Sequence, residues 1–276
     1  MLRNLRPTRT ARAAAVLVLL AACALALPAA GSACGAKSGP QTMALVELYT
    51  SEGCNSCPPA DRWLASAFRA DVPPAGVIPL AFHVDYWDRL GWKDRFATAG
   101  YTERQYAAMR AGHARFVYTP QVLVQGRDFP GWRAETRGAA AAIAAVNARP
   151  ARAEITLEAL PQQGVVNVNA TVRIPAPADR KGAALHVALV DSGLVSDVKA
   201  GENRGVRLVH DHVVRALRAG PTVDATGGGA VAMVMALPAE GGQATTLVAF
   251  VQNPDTGDVL QALALPLSSP ECASRP

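Results

Sequence analysis

Charged and aromatic side chains are both scarce in this chain. Asp, Glu, Lys and Arg make up 18% of its 276 residues and Phe, Trp and Tyr 5%, while half of the sequence is apolar. So low a charge content excludes the charge-rich disordered class, and the apolar half is enough for a packed core. The length leaves room for two ordinary domains. Basic excess is also missing once its position is considered. The formal net charge is +5, but four of the 27 basic residues (Arg3, Arg6, Arg9 and Arg12) fall within 1–33, a stretch without any acidic residue. The other 23 face 22 acidic ones, which removes the compositional support for nucleic-acid binding. Long hydrophobic runs are lacking too. The apolar run 13–27 falls short of the about 20 residues that span a bilayer, and no later run is long enough.

What 1–33 does have is order: a basic start, an apolar middle and a small-residue end, Ala29-Ala-Gly-Ser-Ala33. That is the layout of a signal peptide cleaved near Ala33, and it predicts a periplasmic or secreted protein. An alternative sits inside it. Leu20-Ala-Ala-Cys23 has the shape of a bacterial lipobox, which would make Cys23 a lipid anchor. In either case Cys34, Cys54, Cys57 and Cys272 remain, and four thiols in an oxidising compartment predict two disulfides among three connectivities.

The pattern changes near Pro150. Before it, Ala44-Leu-Val-Glu-Leu-Tyr-Thr50, 77–84 and 121–125 read as strands, and 58–70, 102–109 (capped by Thr102) and 134–147 as helices. That order implies an α/β layer over 34–150. From 151 to 276, seven apolar or alternating runs are separated by Gly, Pro and Asp breaks, with a single plausible helix. Such spacing predicts an all-β, sandwich-like second domain.

Cys54-Asn-Ser-Cys57 is the strongest chemical signal. Two cysteines three apart at a helix start bring their sulfurs side by side. The free amides and dipole of the helix end favour the thiolate, the form that attacks a disulfide. The pair follows a strand directly, opens a helix, and precedes an X-Pro (Thr119-Pro120) that leads into a later strand. This is the thioredoxin order, in which the late proline is cis and lies against the sulfurs. Three other readings compete. The pair is half of a zinc site, although no second CxxC exists and the five histidines are scattered. It is a purely structural bridge. Or it binds copper together with a histidine such as His83.

Longer stretches carry a resemblance. Val46 to Asp61, His83 to Asp94, Tyr118 to Gln121, Gly201-Glu202-Asn203-Arg204-Gly205, His210 to Arg215 and Val251 to Gly257 resemble a secreted bacterial family catalogued as domain of unknown function 1223. The resemblance covers about 44 to 265. It implies a thioredoxin-like fold and export and supplies no substrate.

Around the pair, Glu47 is a candidate to move the resolving thiol's proton, or else a strand-end acid paired with an arginine. Thr119 and Pro120 would form a substrate-facing edge for an extended peptide. His83 and Asp85 sit near a strand's C-terminal end, as functional groups or as a hydrogen-bonded pair. Trp87 and Trp92 cover the sulfurs or pack under their loop. His210 and His212 read as surface or hydrogen-bonding residues, and Asp61 as part of an exposed helix face. The sequence therefore predicts an exported thiol–disulfide oxidoreductase without a cofactor. Cys54 is its nucleophile, partly exposed, and Cys57 its more buried resolving thiol. Protein or small-molecule disulfides and thiols are its substrates, with a redox partner and without nucleic acid. A copper metallochaperone, or a non-catalytic interaction protein with a structural CxxC, are the alternatives. Cys34 and Cys272 lie outside every predicted element and near the ends of the mature chain, so a Cys34–Cys272 disulfide is expected.

Overall fold

The computed structural model describes residues 33–68, 76–133, 136–269 and 272. The expected signal segment up to residue 32, with Cys23, lies outside them. The first half of the chain contributes β1 (Cys34–Lys37), β2 (Ala44–Thr50), α1 (Pro58–Ala67), β3 (Val77–His83), α2 (Ala99–Arg110), β4 (Gln121–Val124), β5 (Arg127–Asp128) and α3 (Thr136–Asn147). The second contributes β6 (Glu154–Gln162), β7 (Val165–Arg173), β8 (Ala184–Ser192), β9 (Leu194–Asp197), β10 (Arg207–His210), β11 (Val213–Thr222), β12 (Gly228–Ala236), β13 (Ala244–Gln252) and β14 (Val259–Pro266).

Local chemistry sets the helix ends. α1 starts on Pro58 and Pro59, where the missing amide hydrogens have no helical partner to lose. α2 begins four residues earlier than the expected Thr102 cap, because Thr98 is the N-cap and its side chain accepts from the Tyr101 amide. The run 206–217 is interrupted by His212, whose φ of 59° turns the chain between β10 and β11.

The expected thioredoxin-like α/β domain followed by an all-β sandwich is overturned. The structure is 43% strand and 19% helix, and no thioredoxin-like α/β pattern is evident. Its largest sheet has eight strands in the order β14-β13-β8-β11-β3-β2-β4-β5, so it runs straight across Pro150. The junction is the parallel pairing of β11 with β3, Val213 opposite Ala81. A first half closed on itself would have left the apolar β3 as an edge with a bare row of amides and carbonyls; β11 covers that edge, and the sequence pattern of either half alone does not reveal it. A four-stranded sheet, β1-β6-β7-β12, and the two-stranded β10-β9 complete the strands.

Strand alternation sorts the core into layers. One face of the large sheet packs against α1 and α3 through Val46, Leu48, Leu64 and Ile143. Farther along the same face, Val187, Leu189 and Leu247 meet Ile155, Leu157 and Val168 of the four-stranded sheet. The opposite face holds Leu45, Tyr49, Phe82 and Phe250 beneath Tyr101 of α2.

Candidate functional site

The site lies where β2 and β3 end and α1 begins. After Thr50 the chain turns through Ser51, Glu52 and Gly53, all buried, and reaches Cys54. Cys57 is the N-cap residue of α1, and its carbonyl accepts from the amides of Ala60 and Asp61. Cys54 and Cys57 form a disulfide with their Cα atoms 5.4 Å apart, and a second disulfide joins Cys34 to Cys272.

Both cysteines of the CxxC are 0% exposed, contrary to the expectation of a partly exposed Cys54. Two covers explain this. On one side Thr119 Oγ1 and Ser56 Oγ each lie 3.4 Å from Cys54 Sγ. Trp87 Nε1 donates to Thr119 Oγ1 at 2.8 Å. The Thr119–Pro120 peptide is cis. Trp87 also crowds Gly53, where a Cβ would stand 3.0 Å from the Trp87 Cβ. On the other side a loop from the second half of the chain folds over the pair. Asn203 Nδ2 donates to the carbonyls of Glu52 (2.9 Å) and Cys54 (3.0 Å), and Glu202 Oε2 accepts from the Asn55 amide at 3.2 Å. Gly201 permits that approach: its φ is +71° and a Cβ would meet Trp92 at 3.2 Å.

Behind the disulfide is a buried polar cluster. Glu52 receives a hydrogen bond from Trp92 Nε1 at 2.7 Å, and its other oxygen lies 3.2 Å from His210 Nε2. Asp94 Oδ2 accepts from the Glu52 amide at 2.8 Å and lies 2.6 Å from His83 Nδ1. The His83 and His210 rings meet edge to face at 5.1 Å, and Phe96 packs on both. Burial opposes the charge of Glu52, but His210 outweighs it, together with Ser196 and Trp92, and holds the carboxyl below its usual range. Burial opposes Asp94 as well, and His83 with the amides of Glu52 and Phe96 wins again, so its pKa falls. His83 is raised, because Asp94 overcomes the cost of burial. Asp61, half-buried on α1 where an exposed face was expected, goes the other way: desolvation raises it, and His210 and His83 only partly offset that.

Several sequence expectations change place. Glu47 alternates onto the opposite face of β2 from Leu48, away from α1. There it holds Arg104 through both oxygens at 2.9 Å and accepts from Tyr49. This is the arginine-paired arrangement, and it does not serve the cysteines. His83 and Asp85 are not partners; Asp85 accepts from Thr102 Oγ1 at 2.6 Å. Trp87 reaches the cysteine pair through Thr119, whereas Trp92 binds Glu52. His212 is buried with its ring against the Phe68 carbonyl, and burial lowers its pKa. His210 is buried at the site and not on the surface. Glu52, Asp94 and Asn203 were missed. The stretches 46–61, 83–94 and 201–205 contained them, but only as unplaced motifs. Among the described residues, no group of three or more His, Cys, Asp or Glu side chains is set to hold a metal ion.

The sequence profile of a family described as "Protein of unknown function (DUF1223)" matches residues 45–252. The chain belongs to DUF1223. This span holds the CxxC, the cis Thr119–Pro120 peptide and the covering loop together. Among curated proteins none matches the chain. Among solved structures, this DUF1223 chain is similar to a structural-genomics target from Agrobacterium tumefaciens at 28% identity and a TM-score of 0.54. That match covers 83% of this chain and 96% of the other. It is also similar to HBP35 of Porphyromonas gingivalis, at 16% identity and a TM-score of 0.62, over 86% of this chain and 79% of that one. The second likeness is one of fold alone.

Proposed function

We propose that this DUF1223 protein is an exported thiol–disulfide oxidoreductase acting on protein or low-molecular-weight disulfides. The observation that carries the reading is the Cys54–Cys57 disulfide at the first turn of α1, with the hydroxyls of Thr119 and Ser56 beside Cys54 Sγ. A helix N-terminus stabilises a thiolate there, and the flanking hydroxyls can donate to it. In the reduced protein the Cys54 thiolate attacks a substrate disulfide and expels one substrate thiolate. Cys57 then attacks Cys54 Sγ and expels the second. The cysteine pair is oxidised, the substrate disulfide is reduced, and each expelled thiolate takes up a proton. Because both sulfurs are covered, access requires Glu202 and Asn203 to release Asn55 and Cys54. Export is supported by two disulfides, which persist in oxidising compartments.

The test is exchange with glutathione disulfide. Reduced protein should be oxidised stoichiometrically, Cys57→Ser should accumulate a mixed disulfide at Cys54, and Cys54→Ser should be inert. A pair that native protein cannot reduce with a dithiol, or that never exchanges, makes the CxxC a structural bridge.

A further inference from the structure

We propose that two copies of this protein join edge to edge through β12, pairing antiparallel about a twofold axis at Met233 so that their four-stranded sheets become one.

β12 is the outer strand of the sheet β1-β6-β7-β12 and bonds to β7 on one side only. The bonds at its two ends fix its phase. The Ile174 amide donates to the Gly227 carbonyl and the Leu237 amide to the Gly164 carbonyl, so the odd-numbered residues between them exchange bonds with β7. The N–H and C=O groups of the even-numbered residues point away from β7. Gly228 satisfies its own within the turn that precedes the strand, through Asp224. Among the described residues, nothing bonds those of Ala230, Ala232, Val234 and Ala236.

Such an edge is normally kept from pairing by shortness, charge, proline or a bulge. β1, at the far side of the same sheet, is four residues long and ends in Lys37, and β5 consists of Arg127 and Asp128 alone. β12 has none of these guards. Gly-Gly-Ala-Val-Ala-Met-Val-Met-Ala runs for nine residues without a charge or a proline, in unbroken register with β7.

Charge decides the occupant. On the solvent face Ala230, Ala232 and Val234 (64% exposed) stand beside Thr171, Asn169 and Asn167 of β7, so the seam is uncharged on both strands. A foreign strand would be selected by charge or by side-chain pockets along the edge, and this seam has no charge to select one. A second copy of the same edge meets it without setting like charges opposite each other. Pairing about Met233 places Ala230 opposite Ala236 and Ala232 opposite Val234 of the second copy, which bonds all four outward residues of each chain. A slip of one residue would set outward groups against inward ones and lose the ladder. In this register small Ala232 faces larger Val234, and the Met233 side chains, only partly buried against the core of each copy, meet at the axis.

The test is sedimentation of the native protein from about 1 μM to about 1 mM, with residue-resolved amide exchange at both ends of that range. A dimer should form, and the amides of Ala230, Ala232, Val234 and Ala236 should gain protection with it. Those of Val231, Met233 and Met235 should be protected at every concentration. Ala232→Pro removes an amide that points only at solvent in the monomer, a position where an edge strand tolerates proline. Each dimer then loses two ladder bonds, so the dissociation constant should rise by about thirtyfold or more, with the circular dichroism of the dilute protein unchanged. A protein that stays monomeric, a dimer whose even-numbered β12 amides stay open, or an Ala232→Pro variant that dimerises as well as wild type overturns the proposal. Protection of those amides in the monomer overturns it too, since another part of this chain then covers the edge. Protection that appears only with added unfolded casein assigns the edge to a foreign strand and has the same consequence. If Ala232→Pro does not fold, the alternation of protection along wild-type β12 decides alone.

Discussion

Two buried ion pairs have opposite relations to the cysteines. Glu47 and Arg104 lie on the α2 side of the sheet, with Arg104 held over the Phe82 and Phe250 rings, and they stabilise that layer alone. Glu47→Ala leaves the Arg104 guanidinium buried without its counter-ion, so a loss of about 3–5 kcal/mol is expected in urea unfolding, with exchange at Cys54 unchanged. His83 and Asp94 lie against the site, and their contribution depends on pH. The folded His83 pKa is raised above 6.5, so its stabilisation is complete below that value and is lost as pH climbs through the folded pKa. The Asp94 pKa is lowered from 3.8, so its part is complete above that value and is lost as pH falls through the folded one. The stability difference between wild type and His83→Gln should therefore be largest between pH 3.8 and 6.5 and shrink on either side. A difference that stays flat from well below pH 3.8 to well above pH 6.5 means the ring contributes by packing alone. Asp94 was not legible as the partner of His83: it lies 11 residues away, across a loop whose path no periodicity encodes.

Among the elements, the helices were the most readable. Paired prolines at the start of α1 and helical spacing at Ala60, Trp63, Leu64, Ala67 and Phe68 announced it, because both signals are local. The start of α2 shows the limit of local signals. Thr98 and Thr102 are both good caps by residue type, and the choice went to Thr98, since Thr102 is engaged by Asp85 from the loop after β3. Thr98→Ala should thus cost about 1 kcal/mol in a urea titration. Thr102→Ala should disturb the Asp85 loop and leave the helix start intact by amide hydrogen exchange. The loop 198–206 had no readable structure beforehand. Its role at the site comes from Asn203, which bonds two carbonyls of the CxxC turn from about 150 residues away along the chain.

At the scale of the molecule, the described residues belong to one compact unit. The Cys34–Cys272 bridge ties β1 to the chain's last described residue across a separation of 238 residues. Both cysteines are buried in the layer between the two larger sheets. Replacing them together by Ala should lower the unfolding free energy by about 2–4 kcal/mol, read as a lower thermal midpoint. The exchange rate at Cys54 should be unchanged, because the bridge belongs to a different core layer from α1. A loss of exchange in that variant would show that the second half of the chain presents its covering loop only when the bridge is intact.

The sequence by itself determined the β2–CxxC–α1 succession, the two disulfides, the positions of β2, β3, β4 and the three helices to within a few residues, and the proximity of the Thr119–Pro120 peptide to the cysteines, whereas β1 and β5 went unread. All of these rest on short-range signals: residue spacing, turn chemistry, and the cysteines' need for partners. Only the tertiary structure decided that the α/β half and the β-rich half share one sheet. Only the tertiary structure brought Glu52, His83, Asp94, Asn203 and His210 together behind and over the disulfide. The physical reason is the same in both cases. An exposed strand edge and a buried polar group each require a partner, but hydrogen bonding does not specify where in the chain that partner must lie.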